Sequence, residues 1–240
     1  MVTADPTGSS PLHDDLVEML TATRAAEHDL FDALSPDDRE APKRIGEWSA
    51  KDVRAHLAAW RSVEALRLAG EPDGTKEGES DDEANARIQA DRGGWSCERV
   101  AVEADASIDA LIAAARSTTR DELERSDGLV AGIGANGANH ALAHLADVAA
   151  LAGAHTRYAT FTAAIEAIVL RGRLPERDAA VMLYNIACFH ALAGELDDAR
   201  RLLRIALTRR PELLEWAQDD SDVAALRDEL PSLAEPTPEA

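Results

Sequence analysis

No stretch of this chain alternates apolar and polar residues for long, whereas apolar residues spaced three and four apart recur through most of it. A half-buried strand needs the two-residue period and an amphipathic helix the 3.6-residue period, so the pattern restricts the chain to helices. The side chains point the same way. Hydrophobic residues make up 45% of the chain but aromatic ones only 4%. Alanine and leucine, which head the helix propensity scale, dominate, while Val and Ile are sparse. The expected fold class is all-α, as one large domain or two small ones.

The stripes locate the helices. Leu12, Leu16, Met19, Leu20, Leu30 and Leu34 mark one over about residues 11–35, closed by "SPDD". After the connection "DREAPKRIGEW", a second starts at Ser49, where S-A-K-D reads as a capping box with Asp52 at the third helical position. It carries Val53, Leu57, Trp60, Val63 and Leu66 and stops near Gly70. The segment 71–83, "EPDGTKEGESDDE", has seven acidic side chains among thirteen and is expected to be a solvated loop. A third helical region, broken around "DRGGWS", runs through "ERVAVEADASIDALIAAARSTT" to about 124. The glycines of "DGLVAGIGANG" predict another loop, with a fourth helix starting between Asn136 and Asn139 and continuing through "HALAHLADVAALAGAH". Four long helices with short caps suggest a four-helix bundle over residues 10–155.

From about residue 156 the texture changes. After the helix "TFTAAIEAIVLRG", the next stretch resembles the 34-residue tetratricopeptide pattern. Leu183, Ile186 and Ala187 fall in its first helix, Gly194 in the turn, Ala199, Leu203 and Ala206 in its second helix, and Pro211 at its end. "LLEWAQDDSDVAALRDELPSL" resembles the capping helix that closes such an array. Residues 156–233 are therefore expected to form a tetratricopeptide-like segment and 234–240 a disordered tail. A single repeat cannot bury its own faces. Residues 176–230 could hold a protein or peptide partner, or could simply complete the fold.

Charge narrows the partners. The formal net charge is −20 and the sequence pI is about 4.6, so a phosphate backbone or an anionic bilayer would be repelled. No run of 18 apolar residues occurs, and "MVTADPTGSSPLHDD" has neither the basic nor the apolar part of a signal peptide. Cys97 and Cys188 lie far apart and form no disulfide or metal motif. The expectation is a cytoplasmic protein with no nucleic-acid or membrane partner.

Three histidines carry the candidate chemistry. "NHALAHLADV" places His140 and His144 four residues apart on one helix face, which Val148 and Leu151 continue toward the core. Such a pair can share a metal ion, and His56 on the second helix would complete a three-nitrogen set with coordination positions left open. Other candidates have simpler readings. Asp52 could serve as an acid or base but is explained by its cap, and Asp147 could orient a ligand or face solvent. Cys97, at a helix start, would have its thiolate favoured by the helix dipole. His13, His28, His155 and His190 read as surface or packing residues.

These motifs together resemble the DinB-like (YfiT-like) four-helix bundle superfamily, and most closely its ClbS/DfsB branch. The second helix there begins with a tryptophan, a small polar residue, Lys-Asp, a histidine and an apolar stretch ending in tryptophan. Here these are Trp48, Ser49, Lys51, Asp52, His56 and Trp60. An acidic loop leading to an asparagine is matched by Asn85, and the asparagine and two histidines of the last helix by Asn136, His140 and His144. The resemblance spans roughly residues 10–155. It implies a divalent metal on His56, His140 and His144, zinc first and nickel second, with Trp48, Trp60 and Asn85 near the substrate. It further implies a small electrophilic substrate, removed by hydrolysis or by transfer of a low-molecular-weight thiol such as mycothiol or bacillithiol. A homodimer is one arrangement open to such a protein. The chain departs from the family in its tetratricopeptide-like tail and in lacking an aromatic residue beside His140. A non-catalytic metal-binding scaffold, whose repeat-like end holds a protein partner, is the competing reading.

Overall fold

A computed structural model describes residues 10–42, 45 and 48–235, and the side chains of residues 120, 124 and 127 lie outside that description. Residues 236–240, most of the expected disordered tail, also lie outside it. The described residues are all-α. Their one extended pairing is an isolated antiparallel bridge between Ile45 and Trp48. The chain divides into two compact units, Met1–Phe161 and Thr162–Ala240. That division falls inside a helix, whereas the sequence texture changes at the helix's first residue.

In the first unit, α1 (Pro11–Ala33) opens on Ser10, whose side chain accepts the His13 backbone N–H, and ends where Leu34 turns extended. A short α2 (Pro36–Glu40) follows. The capping box forms at the start of α3 (Ala50–Ala69): Ser49 Oγ accepts from the Asp52 N–H at 3.1 Å, and Asp52 Oδ2 from the Ser49 N–H at 3.0 Å. At its end Gly70 takes the left-handed conformation, with φ 71°, which costs glycine least.

The acidic loop is shorter than its composition suggested. Ser80 and Glu83 make a second capping box, so Asp81, Asp82 and Glu83 are the first turn of α4 (Asp81–Arg92), where acids meet the positive end of the helix dipole. The rest of the loop is tied by ion pairs, Arg67 to Asp73 at 2.6 Å and Arg87 to Glu79 at 2.8 Å. At "DRGGWS" the helix breaks as expected. Arg99 stacks on the Trp95 ring at 3.7 Å, and Lys51 Nζ donates to the Gly93 and Trp95 carbonyls at 3.0 Å each.

α5 (Cys97–Ser117) and a short α6 (Arg120–Arg125) come next. The glycine-rich segment then departs from expectation: it is helical. α7 (Asp127–Gly134) passes through a π-helical turn, Ala135–Asn139, into α8 (His140–Ala152). Packing explains two of these glycines. A Cβ at Gly132 would overlap the Glu64 carboxylate, and one at Gly137 would overlap the Leu20 side chain. These two mark close approach to a helix and not the loop their glycines suggested.

Helices α1 and α3 both pack on α5 and α8, and α3 also meets the π-helical turn. Leu16, Leu20, Leu30, Leu57, Ile108, Leu111, Leu142 and Leu145 fill the space between them at no more than 2% exposure. Each such side chain contributes roughly 1.5–3 kcal/mol on burial. α9 (His155–Val169) starts in this unit, where Tyr158 donates its hydroxyl to the Leu142 carbonyl at 2.5 Å.

In the second unit, α10 (Glu176–Leu192) and α11 (Leu196–Arg209) form a hairpin about Gly194, with φ 79°. Ala180, Leu183, Ala187, Ala199, Leu203 and Ala206 are fully buried, the small side chains allowing close approach. The expected single capping helix is instead three pieces: α12 (Leu213–Asp219), a 3₁₀ turn (Ala224–Glu229) and α13 (Leu230–Leu233). Asp220 makes the break. Its carboxylate accepts the Tyr184 hydroxyl at 2.7 Å and the Asp222 N–H at 2.9 Å, holding its own backbone extended.

Candidate metal centre

Helix α3 presents His56 and helix α8 presents His140 and His144 to one point. The Nε2 atoms of His56 and His140 lie 2.8 Å apart. One ring nitrogen from each of the three histidines lies within 4.8 Å of the others, a convergence found once among the described residues. The imidazole planes meet nearly edge to face, at 78° for His56–His140 and 79° for His56–His144. Four-residue spacing stacks His140 over His144 on one face of α8. The π-helical turn just before them adds a residue to the local helical repeat, and so shifts the faces before and after it relative to one another.

Burial determines the protonation. His56 is 3% exposed, and its pKa is lowered to about 3, by desolvation first and then by His144. His140 is lowered to about 2 by desolvation, then by His56, His144 and Arg61 in turn. Desolvation also lowers His144. All three rings are therefore neutral near pH 7, the form whose nitrogen lone pair binds a metal. Ligand nitrogens about 2.0–2.1 Å from a tetrahedral ion are about 3.4 Å apart, inside the span these nitrogens cover. The donor set fits a borderline ion such as zinc or nickel.

Trp48 lies against this cluster. Its ring lies 4.8 Å from that of His56 and stacks on His144 at 6.0 Å, while its backbone is held by the bridge to Ile45. Trp60 and Asn85 meet each other: the indole N–H donates to Asn85 Oδ1 at 3.0 Å, joining α3 to α4. Asn136 donates to Glu64 Oε2 at 3.3 Å and to the Gly132 carbonyl at 3.4 Å. Asp52 is used in its capping box, and Asp147 is exposed.

No family model, curated protein or solved structure matches the chain. The site therefore rests on its own geometry.

Cys97 departs from expectation. It occupies the first position of α5, but burial and a hydrogen bond with Glu40 push its thiol up to about 11, outweighing the helix dipole. It is not poised as a nucleophile. Two of the remaining histidines pair with acids, His28 with Asp105 and His190 with Glu195, each at 2.6 Å.

Sequence reasoning missed three buried charged groups on α1 and α3. Glu27, Arg61 and Glu64 are 2%, 0% and 5% exposed. A signal was present: Glu27 lies seven residues from Leu20 and three from Leu30, and Glu64 lies seven from Leu57. Charged residues on an apolar stripe are rarely buried without a partner.

Proposed function

We propose that the first unit is a metal-dependent enzyme of the DinB-like type, resembling the ClbS/DfsB branch, that acts on a small electrophilic molecule. The convergence of three neutral imidazoles from two helices carries this reading. A divalent ion on His56, His140 and His144, zinc before nickel, would lower the pKa of a water or thiol at an open position and so supply a nucleophile near neutral pH. The chain's own residues do the rest. Burial keeps the ligand nitrogens unprotonated, and the Trp48 ring covers two of the imidazoles and limits the approach of water. The Glu64–Asn136 contact fixes the turn that leads into His140.

The experiment is a turnover panel of epoxides, cyclopropanes and activated alkenes with metal-loaded protein, with and without mycothiol or bacillithiol. Turnover that needs the thiol identifies a transferase, and turnover without it a hydrolase. No metal-dependent turnover in either arm rejects the enzyme reading. In the second unit, the buried small-residue interface of the α10–α11 hairpin supports a tetratricopeptide-like role for residues 176–230, in which they hold a protein partner. Capture of such a partner by the intact chain, alongside an inactive panel, would favour the scaffold reading.

A further inference from the structure

An imidazole ring does not set its own plane. The last side-chain torsion of histidine is broad, so a ring that must aim a nitrogen at one point needs an outside hold. In metal sites a hydrogen bond on the ring's other nitrogen usually provides it. His56 and His140 have a contact of their own, Nε2 to Nε2 at 2.8 Å, and His56 is enclosed in the core at 3% exposure. His144 differs. It is half-buried, and its ring makes no hydrogen bond among the described residues. What lies flat against it is the ring of Trp48, parallel to within 25° with the centroids 6.0 Å apart.

Trp48 is itself held on both sides along the chain. Its N–H donates to the Ile45 carbonyl and its carbonyl accepts the Ile45 N–H, each at 3.0 Å. The next residue, Ser49, is 3% exposed and closes the capping box of α3 with Asp52. The backbone of Trp48 is therefore fixed to the first turn of α3. His56, about two turns along that helix, meets the same indole at 4.8 Å with the planes tilted by 55°. The indole thus carries the geometry of α3 across to α8, and to the histidine of the set that lacks a hydrogen bond.

We propose that Trp48 is a positioning residue that fixes the plane of the His144 ring and so turns a two-nitrogen pair into a three-nitrogen metal site. This rests on the metal reading above, and it gives the indole a task beyond shielding the imidazoles. The task needs a flat ring. An aliphatic side chain would fill much of the same space but leave the imidazole free to turn about its last torsion. Another aromatic ring would keep the stacking hold. Because Trp48 acts through His144, its effect disappears when His144 is removed.

The test uses the full-length chain titrated with cobalt(II), whose visible absorption reports the ligands around the ion. Trp48→Leu should weaken cobalt binding by about tenfold and give the spectrum of His144→Ala, whereas Trp48→Phe should keep the wild-type spectrum. In the His144→Ala background, Trp48→Leu should cost nothing further, since both changes remove the same ligand. General damage to the start of α3 would instead add to the loss. Additive losses, or a Phe variant as poor as the Leu variant, would overturn the proposal. If Trp48→Leu does not fold, proton NMR of the metal-free wild-type chain decides. His144 ring protons displaced by the indole and held in one environment support the inference, and averaged positions reject it. A wild-type chain that binds no cobalt overturns the metal reading and this inference with it. A three-histidine spectrum that Trp48→Leu leaves unchanged overturns only the inference.

Discussion

His56 and His140 stand 84 residues apart in sequence, yet their Nε2 atoms face each other at 2.8 Å across the α3–α8 contact. His144 brings a third ring to the pair, 5.0 Å from His56 and stacked on Trp48. On the metal reading proposed above, one ion would take a nitrogen from each of the three. Purified protein should carry about one equivalent of transition metal, zinc before nickel. The His140→Ala, His144→Ala double variant should carry none by elemental analysis, and full metal content there would reject the assignment.

The metal-free chain should lose stability as pH falls. The histidine pKa values are depressed in the folded state, so below the unfolded value of 6.5 the unfolded chain binds more protons. Their contribution is complete above about pH 6.5 and declines toward the folded value, about 3 for His56. Urea unfolding at about pH 7.5 and about pH 5.5 should differ by up to about 1.4 kcal/mol per histidine. A variant with all three changed to Gln should lack this component. An equal pH dependence in both proteins would contradict the buried, neutral assignment.

Gly137→Ala should destabilise the chain, against the usual gain of up to about 1 kcal/mol for Gly→Ala in a helix. The added Cβ would overlap Leu20, which is itself fully buried, and overpacking costs roughly 1–3 kcal/mol. Gly128→Ala is the control, because its Cβ would meet only Ser126 Oγ at 3.7 Å. Denaturant midpoints moving in opposite directions are expected. A stabilised Gly137→Ala would show that the π-helical turn does not lie against Leu20.

Tyr184→Phe should cost roughly 1.5–3 kcal/mol, the range for a hydrogen bond to a charged group, because its hydroxyl donates to Asp220 at 2.7 Å. Hydrogen exchange should rise in α12 and the 3₁₀ turn, where Asp220 sets the break, before it rises in α10. Uniform exchange across the second unit would mean that the contact does not hold this end.

The sequence by itself determined the helical class, the ends of α3, and the pairing of His140 with His144. Each depends on interactions within a few residues: the apolar period, a capping box from Ser49 to Asp52, glycine at Gly70, and one helical turn between two rings. The sequence offered His56 as a third nitrogen from a facing helix, and only the packing of α3 on α8 brought it to 2.8 Å. The glycines from 128 to 137 misled because glycine permits both a turn and a close helix contact, and the choice lies with Glu64 and Leu20, far away in sequence. The buried charges were half legible. Glu27 and Glu64 sit on apolar stripes, which hints at burial, but the partner of Glu27 is set only when α1 and α3 close on a common core and bring Arg61 to it.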